Sequence, residues 1–266
     1  MRCFLFSLFL LPALSFGQIT PVRTYIGVGR PLLVQVRAGR DAKVQLLEAG
    51  SAKLLMQVDA KGGQMDLADV FALWKSKIPK TLYAQLTVAG QRTGPALVLQ
   101  PMLNPAISRL AEDKKTVVFE ADEDGPMYNG IRAYVDQNLV IDTSMGTMEF
   151  RLRPDAAPNT AWNIMQLAAG GFYTDTIFHR VVAERPDGSP FVIQGGDPTG
   201  TGSGSPGFAY PLEKSPLPHD FGVISIARST DPNTNGCQFF VCLSREGTKH
   251  LDGKYASFGQ MIRGAD

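Results

Sequence analysis

Short apolar runs recur along most of the chain, and Gly, Pro, Asp, Asn or Lys residues separate them. Runs this short and rich in Val, Ile, Leu and Phe are typical of β-strands. Two segments have helical character instead, DLADVFALWK at 66–75 and PNTAWNIMQLAAGG at 158–171. We therefore predict a mainly β protein with few helices.

Composition narrows the class of partner. The 266 residues suit one large domain or two ordinary ones, and a hydrophobic fraction of 44% is that of a globular protein with a substantial core. The formal net charge of +1 gives no electrostatic reason to expect binding to nucleic acid or to an anionic membrane. We therefore expect no nucleic-acid partner.

Residues 1–17, MRCFLFSLFLLPALSFG, have the pattern of a secretory signal peptide. Arg2 precedes an apolar stretch that reaches about Leu14, and Gly17 follows at cleavage-like spacing. The stretch is too short for a helix that spans a membrane. We therefore predict an exported protein, periplasmic or extracellular, that has no membrane span and is cleaved after Gly17. A membrane-anchored N-terminus is the alternative.

Residues 18–104 contain several short candidate strands at a spacing typical of small sandwiches. They contain no pair of acids, histidine cluster or phosphate loop. We predict a β-sandwich-like domain here, with a packing role or an unidentified protein partner. Residues 105–130 are polar and acidic, and we take them as a linker before a second domain at 131–266.

The second domain combines strands with the helix at 158–171, and this combination favours a closed or nearly closed barrel capped by that helix. One predicted strand is IFHRVV at 177–182. Strand alternation would place Phe178 and Arg180 on one face. A guanidinium on a half-buried strand needs a partner.

The usual reactive groups are poorly arranged for catalysis. His179, His219 and His250 do not have the spacing of metal ligands. Cys237 and Cys242 lie in a strand rich in aromatic residues. The simpler interpretation is that both are small side chains packed in the core. We therefore expect no metal and no cofactor.

Five motifs in a fixed order carry a resemblance. FHRVV, FVIQGGD, ISIAR, NTNGCQFF and LDGKYASFG together resemble the cyclophilins, the barrel-type peptidyl-prolyl isomerases, over about residues 134–264. Members of that family continue past the position of FGQMIRG with a helix and a closing strand. The resemblance therefore implies a cyclophilin-like closed β-barrel that lacks its C-terminal strand, and we expect the sequence to be a fragment.

The resemblance also implies the roles of individual residues. Tyr255 stands where many relatives have His, His250 where some have Trp, and Arg228 where many have Asn. The implied catalytic residues are Arg180, Gln194 and Phe240. The implied substrate-binding residues are Phe191, Val192, Ala227, Arg228, Gln238, His250, Leu251 and Tyr255.

The implied function is isomerisation of Xaa-Pro bonds in exported proteins, which assists their folding, with proline-containing polypeptides as partners. Tyr255, which differs from the His of many relatives, and the missing strand suggest an alternative. It is a catalytically weak module that binds proline peptides or acts as a chaperone.

Overall fold

The computed structural model describes residues 5–6, 18–75, 80–104, 107–120 and 127–265. It divides into two units, one with Leu11–Arg109 and Val118–Gln137, and the other with Met1–Leu10, Leu110–Val117 and Asn138–Asp266. The predicted signal peptide lies outside the described residues, except for strand β1 (Leu5–Phe6).

The N-terminal unit is built mainly of short strands. Its first helix, α1, spans Leu67–Val70, and a 3₁₀ turn follows at Leu73–Lys75. The strands in this part of the chain are β2 (Gln18–Pro21), β3 (Tyr25–Gly27), β4 (Leu33–Arg37), β5 (Ala42–Glu48), β6 (Leu54–Asp59), β7 (Gly63–Asp66), β8 (Leu82–Val88), β9 (Gln91–Arg92), β10 (Leu97–Leu103), β11 (Ile107–Leu110), β12 (Val117–Glu120) and β13 (Tyr128–Val135).

These strands form two main sheets around one core. One sheet has the order β3-β13-β10-β8-β5-β6, with β9 beside β8, and the other has the order β2-β4-β7. Alternate residues of β4, β5 and β8, among them Val34, Val44 and Leu86, are fully buried in a shared cluster. Burial from two sheets into one cluster is the arrangement of a small β-sandwich.

The boundary between the units differs from the predicted linker at 105–130. β11 and β12 pair with each other inside that segment. β13 crosses residue 131 and pairs with β10 and β3, so it belongs to the N-terminal unit. A side chain at Gly130, which has φ of +141°, would collide with the backbone of Ile26 on β3. The C-terminal unit therefore resumes at Asn138 rather than at residue 131.

The C-terminal unit contains the second group of strands and the longer helix. A short helix, α3 (Arg245–Thr248), and a 3₁₀ turn at Lys249–Leu251 precede its last strand. The remaining elements are β14 (Asn138–Thr143), β15 (Gly146–Leu152), α2 (Pro158–Ala169), β16 (Arg180–Val182), β17 (Val192–Gly195), β18 (Val223–Ile226), β19 (Phe239–Cys242) and β20 (Ser257–Arg263).

These strands form a single curled sheet of eight strands in the order β1-β14-β15-β20-β18-β19-β17-β16. Within the described ranges no pairing joins β1 to β16, and the sheet curls into a half-barrel, as expected for a barrel that lacks a strand. The mainly β fold class is confirmed.

Helix α2 begins at Pro158, as the sequence predicted. The carboxylate of Glu213 accepts hydrogen bonds from the backbone N–H groups of Asn159 and Thr160. It therefore occupies the position of a helix cap. Ala161, Ile164 and Ala168 are buried along one face of the helix. No helix in the described part of the chain is long and apolar enough to cross a membrane.

Candidate active site

A row of directly opposite residues crosses the C-terminal sheet. Arg180 on β16 lies opposite Gln194 on β17, and Gln194 lies opposite Phe240 on β19. Phe240 lies opposite Ser225 on β18, which in turn lies opposite Ser257 on β20. Directly opposite residues in antiparallel strands project to the same face. The register therefore aligns the three predicted catalytic residues side by side.

Arg180 is the exposed end of this row. Its Nη1 donates a hydrogen bond to Oε1 of Gln194 at 3.3 Å, and its guanidinium carbon lies 5.7 Å from the centre of the Phe191 ring. Both contacts aim the guanidinium along the face of the sheet. Gln194 is therefore the partner that we expected for a guanidinium on this strand.

The predicted strand at 177–182 is shorter than expected, and its alternation is wrong. β16 begins only at Arg180. Phe178 is buried edge-on against Phe239, at a centroid separation of 6.2 Å, while Arg180 is exposed. The physical reason is that Phe178 packs against Gly195, where an added Cβ would lie only 3.1 Å from its ring.

A chain of hydrogen bonds holds Gln194 in place behind Arg180. Nε2 of Gln194 donates to Oε1 of Gln238 at 3.0 Å. Nε2 of Gln238 donates in turn to the carbonyl oxygens of Gly202 and Gly204, each at 3.0 Å. The position of the guanidinium therefore depends on the Gly-rich loop at 196–207.

Asp197 organises that loop. It is fully buried, and its carboxylate accepts hydrogen bonds from the backbone of Thr199, Gly202 and Gly204 and from the Thr199 hydroxyl. Burial alone would raise the pKa of Asp197, but these donors outweigh it and lower the pKa to about 2. Asp197 was not predicted as a site residue, although an Asp directly after Gly195–Gly196 at the start of a Gly-rich loop is a signal for such a turn.

The pocket beside Arg180 is small, at about 90 Å³. Phe191, Val192, Phe240 and Leu251 provide apolar walls, and Val192 and Phe240 are almost fully buried. The complete lining is Arg180, Phe191, Val192, Gln194, Ala227, Arg228, Phe240, Leu251 and Tyr255. The structure thus brings together nine of the eleven predicted site residues.

The other two predicted residues lie just outside this lining. Gln238 lines an adjoining cleft of about 590 Å³ and acts on the pocket through Gln194. The exposed His250 stacks on Phe191, with ring centroids 5.8 Å apart and planes 17° apart. The roles predicted for all eleven residues remain predictions, because they rest on the motif resemblance.

His219, which was not predicted as a site residue, packs against Phe240. Its ring is stacked on Phe240 at 5.9 Å and is fully buried. Nδ1 lies 3.0 Å from the Asp252 carboxylate, and Nε2 lies 3.0 Å from the Ser225 hydroxyl. Burial lowers the pKa of His219 and outweighs the opposing effect of Asp252. The imidazole is therefore neutral at pH 7.

The cysteines and histidines do not form a reactive centre in this part of the chain. Burial raises the pKa of Cys237 to about 11 and that of Cys242 to about 12, so both thiols are protonated at pH 7. Among the described residues no group of three or more His, Cys, Asp or Glu side chains is arranged to hold a metal ion. What the site offers is a fixed guanidinium beside a small apolar pocket.

Comparisons with known proteins agree with this geometry. Residues 138–266 match the model of the family described as "Cyclophilin type peptidyl-prolyl cis-trans isomerase/CLD". The peptidyl-prolyl cis-trans isomerase of Synechococcus elongatus is 40% identical over 121 residues, which cover 46% of this chain and 77% of that protein. The chain therefore belongs to the cyclophilin-type peptidyl-prolyl cis-trans isomerases, enzymes that catalyse rotation about Xaa-Pro bonds.

Two further relatives differ in coverage. Peptidyl-prolyl cis-trans isomerase-like 1 of Rhizopus delemar is 42% identical over 133 residues, covering 48% of this chain and 75% of that protein. Peptidyl-prolyl cis-trans isomerase-like 2 of Cryptococcus neoformans is 33% identical over 218 residues, covering 79% of this chain but only 36% of that protein. A crystal structure of a Cryptosporidium parvum cyclophilin, in the presence of the dipeptide Ala-Pro, is 39% identical with a TM-score of 0.43, covering 48% of this chain and 80% of that one.

Proposed function

We propose that Arg180, Gln194 and Phe240 catalyse the isomerisation of Xaa-Pro bonds in exported polypeptides and so assist their folding. The observation that carries this proposal is the alignment of these three side chains across β16, β17 and β19 at the edge of the apolar pocket. The partners would be unfolded or partly folded chains that contain proline.

The chemistry needs only what this site contains. Rotation about a prolyl bond breaks amide resonance and meets a barrier of about 18–20 kcal/mol. In the twisted transition state the proline nitrogen regains its lone pair and becomes a hydrogen-bond acceptor. Arg180 would donate to that nitrogen, or hold the neighbouring carbonyl oxygen, more strongly than in the planar ground state. Interactions made only in the transition state raise kcat.

The pocket supplies the other part of the mechanism. Phe191, Phe240 and Leu251 would enclose the proline ring. Such an apolar pocket also disfavours the planar amide, which is the more polar form. Lowering the barrier by about 5 kcal/mol would accelerate rotation by about 10³- to 10⁴-fold.

The alternative is a module that binds proline peptides without useful turnover. Tyr255, which stands where many relatives have His, favours it. Its ring meets Phe240 edge-on at 5.6 Å and lies 4.5 Å from the guanidinium carbon of Arg228, so it narrows the pocket. A Tyr255→His variant distinguishes the two functions. If this variant accelerates isomerisation and the parent does not, the parent is a weak binder.

Peptide exchange measured by NMR distinguishes the two functions. We expect the chain to accelerate cis–trans exchange of a short Xaa-Pro peptide when present at a few per cent of the peptide concentration. Saturable binding of the peptide without faster exchange would favour the binding module over the enzyme.

Export is a separate part of the proposal and rests on the pattern of residues 1–17. Cleavage after Gly17 would remove β1, which pairs with Asp142 and Thr143, and would leave β14 with an exposed edge. We expect the exported protein to begin at Gln18, which N-terminal sequencing would show. A Leu10→Arg variant should remain uncleaved, because a charge interrupts the apolar stretch. An uncleaved parent would contradict the proposal.

For residues 18–104 we propose a packing or partner-binding role. The edge strand β6 gives it some support, since Leu54, Leu55 and Met56 are each more than two-fifths exposed. Apolar edge strands are places where chains pair. A pull-down with the intact chain in which replacement of these side chains removes no partner would count against this role.

A further inference from the structure

We infer that the isomerase pocket selects segments with acidic side chains flanking the proline. This inference rests on the proposed function and adds a substrate class to it. It is carried by four cationic side chains around the pocket, Arg180, Arg185, Arg228 and Lys254, which we call the cationic rim.

Arg228 is the most rigidly held member of the cationic rim. Its Nε and Nη2 donate to the carbonyl oxygen of Lys254 at 3.2 and 2.9 Å, and its Nη1 donates to the carbonyl oxygens of Ser229 and Thr230. Its guanidinium carbon lies 4.5 Å from the centre of the Tyr255 ring. The charge is thus fixed at the pocket wall by neutral oxygen atoms, and these do not cancel it.

Arg185 and Arg180 repeat this arrangement at Phe191. Arg185 donates from Nη1 to the carbonyl oxygen of Gly247 at 3.0 Å, and its guanidinium carbon lies 5.4 Å from the centre of the Phe191 ring. Arg180 lies 5.7 Å from the same ring and donates to the neutral Gln194. Two guanidinium groups therefore share one aromatic ring at the mouth of the pocket.

Lys254 completes the cationic rim. Burial is the main cause that lowers the pKa of His250, and the nearby charges of Arg185 and Lys254 lower it further. His250 stacks on Phe191, so the imidazole that these two charges act on lies beside the pocket lining. The imidazole is neutral at pH 7 and adds no negative charge to offset them.

Three other arginines of the C-terminal unit pair with carboxylates. Arg245 pairs with Asp252 at 2.6 Å, Arg153 with Asp155 at 2.6 Å, and Arg263 with Glu149 at 3.8 Å. Within the described ranges no member of the cationic rim has a carboxylate within 4.0 Å. Hydrogen bonds from Ser189 are the main cause that lowers the pKa of Asp187, and the charge of Arg185 lowers it further. The Asp187 carboxylate accepts its hydrogen bond from the Ser189 hydroxyl and forms no ion pair with Arg185 within 4.0 Å.

A concentration of positive charge without carboxylate partners attracts anions and strengthens their binding. A proline seated in the pocket would place its two neighbours along the cationic rim. An acidic neighbour would gain attraction in the ground state and the transition state alike, which lowers KM and leaves kcat nearly unchanged. Each exposed charge contact changes binding by about twofold to fivefold.

Three peptides that differ only in the two residues flanking the proline test this inference on the full chain. The flanking residues are both Glu, both Gln or both Lys, and NMR exchange at several peptide concentrations gives KM and kcat. We expect KM for the Glu peptide to be about threefold to tenfold below that of the Gln peptide, and KM for the Lys peptide to be above it. The differences should shrink as salt rises toward 1 M.

The matched variants are Arg185→Gln with Lys254→Gln, compared with Arg151→Gln, a cation outside the pocket lining. The KM ratio of the Glu and Gln peptides within each variant cancels any general loss of activity. We expect this ratio to approach one in the rim variant and to keep its parent value in Arg151→Gln. Equal KM values in the parent, or an unchanged ratio in the rim variant, would overturn the inference.

If no peptide exchanges faster than it does without protein, the proposed catalysis fails, and binding of the same three peptides decides the inference by itself. Tighter binding of the Glu peptide would then support acidic selection by a non-catalytic pocket. Equal dissociation constants would overturn it.

Discussion

The two units contain cavities of very different size and chemistry. The N-terminal unit has an open cleft of about 740 Å³, whereas the isomerase pocket has about 90 Å³. Arg40, Asp41, Lys43 and Asp59 line the larger cleft, and Lys43 and Asp59 lie 3.8 Å apart as an ion pair. No aromatic residue appears in its described lining.

The difference shows that volume does not identify the site. In the large cleft Lys43 is already paired with Asp59, and acidic and basic side chains occur together in the lining. The small pocket instead combines apolar walls with guanidinium groups held by neutral acceptors. Only the second arrangement leaves a directed charge for a substrate, and the predictions below test this contrast.

The largest expected effect is a loss of stability from a substitution in the core of the N-terminal unit. Leu86 is fully buried in the N-terminal sandwich, so Leu86→Ala should lower the free energy of unfolding of that unit by about 3–4 kcal/mol. The isomerisation rate per folded molecule should not change, because Leu86 does not line the pocket. Urea unfolding combined with peptide exchange measures both quantities. Leu103→Ala is the control, since Leu103 is 41% exposed. A large loss of rate in Leu86→Ala would break the separation.

Asp197→Asn tests the loop that supports the pocket. An amide accepts fewer of the hydrogen bonds that the carboxylate receives, so we expect a loss of about 2–3 kcal/mol in unfolding free energy. The rate should fall as well, because the loop carbonyls hold Gln238. Thermal unfolding and exchange rates measure the two effects. The exposed Asp175→Asn should show neither, and equal behaviour of the two variants would refute the anchoring role.

Gln238→Ala removes the link between the loop and Gln194. We expect kcat to fall by about fivefold to tenfold, since the guanidinium of Arg180 loses its support while the pocket walls remain. KM should change by less than twofold. Gln260→Ala is the matched control, because Gln260 donates to the carbonyl oxygen of Phe221 away from the pocket. A loss confined to KM would show that Gln238 binds the substrate directly.

The smallest and most gradual effect is on acid stability. In the unfolded chain His219 has the usual pKa of 6.5, and burial lowers this value in the fold. Between the two values the unfolded state binds more protons, so the free energy of unfolding falls as pH drops below about 6.5. At lower pH Asp252 acts in the same direction, because its hydrogen bond from Arg245 lowers its pKa. His219→Gln should flatten the dependence just below pH 6.5, and an unchanged slope would exclude His219 as its source.

Local patterns predicted much of the fold. Residues 18–104 contain the short strands that their pattern predicts, and helix α2 begins at the predicted Pro158. Residues 131–135 lie in the N-terminal unit and not in the predicted second domain, because β13 pairs with β3 and β10, and only the register shows these partners.

The candidate site was likewise predicted only in part. Its pocket lining could be predicted because the motifs around Arg180, Phe191 and Phe240 resemble a family. Asp197 and His219 were missed because their importance comes from burial and distant hydrogen bonds. The cationic rim was missed for a similar reason, since the place of Arg185 over Phe191 depends on how residues 183–190 fold back.

The central claim is that the guanidinium of Arg180 accelerates rotation of the prolyl bond. The most direct measurement is cis–trans exchange of one Xaa-Pro peptide by NMR, using the chain from Gln18 onward beside Arg180→Ala and the control Arg151→Ala. We expect Arg151→Ala to behave as the parent and Arg180→Ala to lose at least about 100-fold in kcat while it stays folded, as a lost charged donor in a pre-organised site predicts. If folded Arg180→Ala keeps the parent rate, Arg180 is not the catalytic group and the account is wrong.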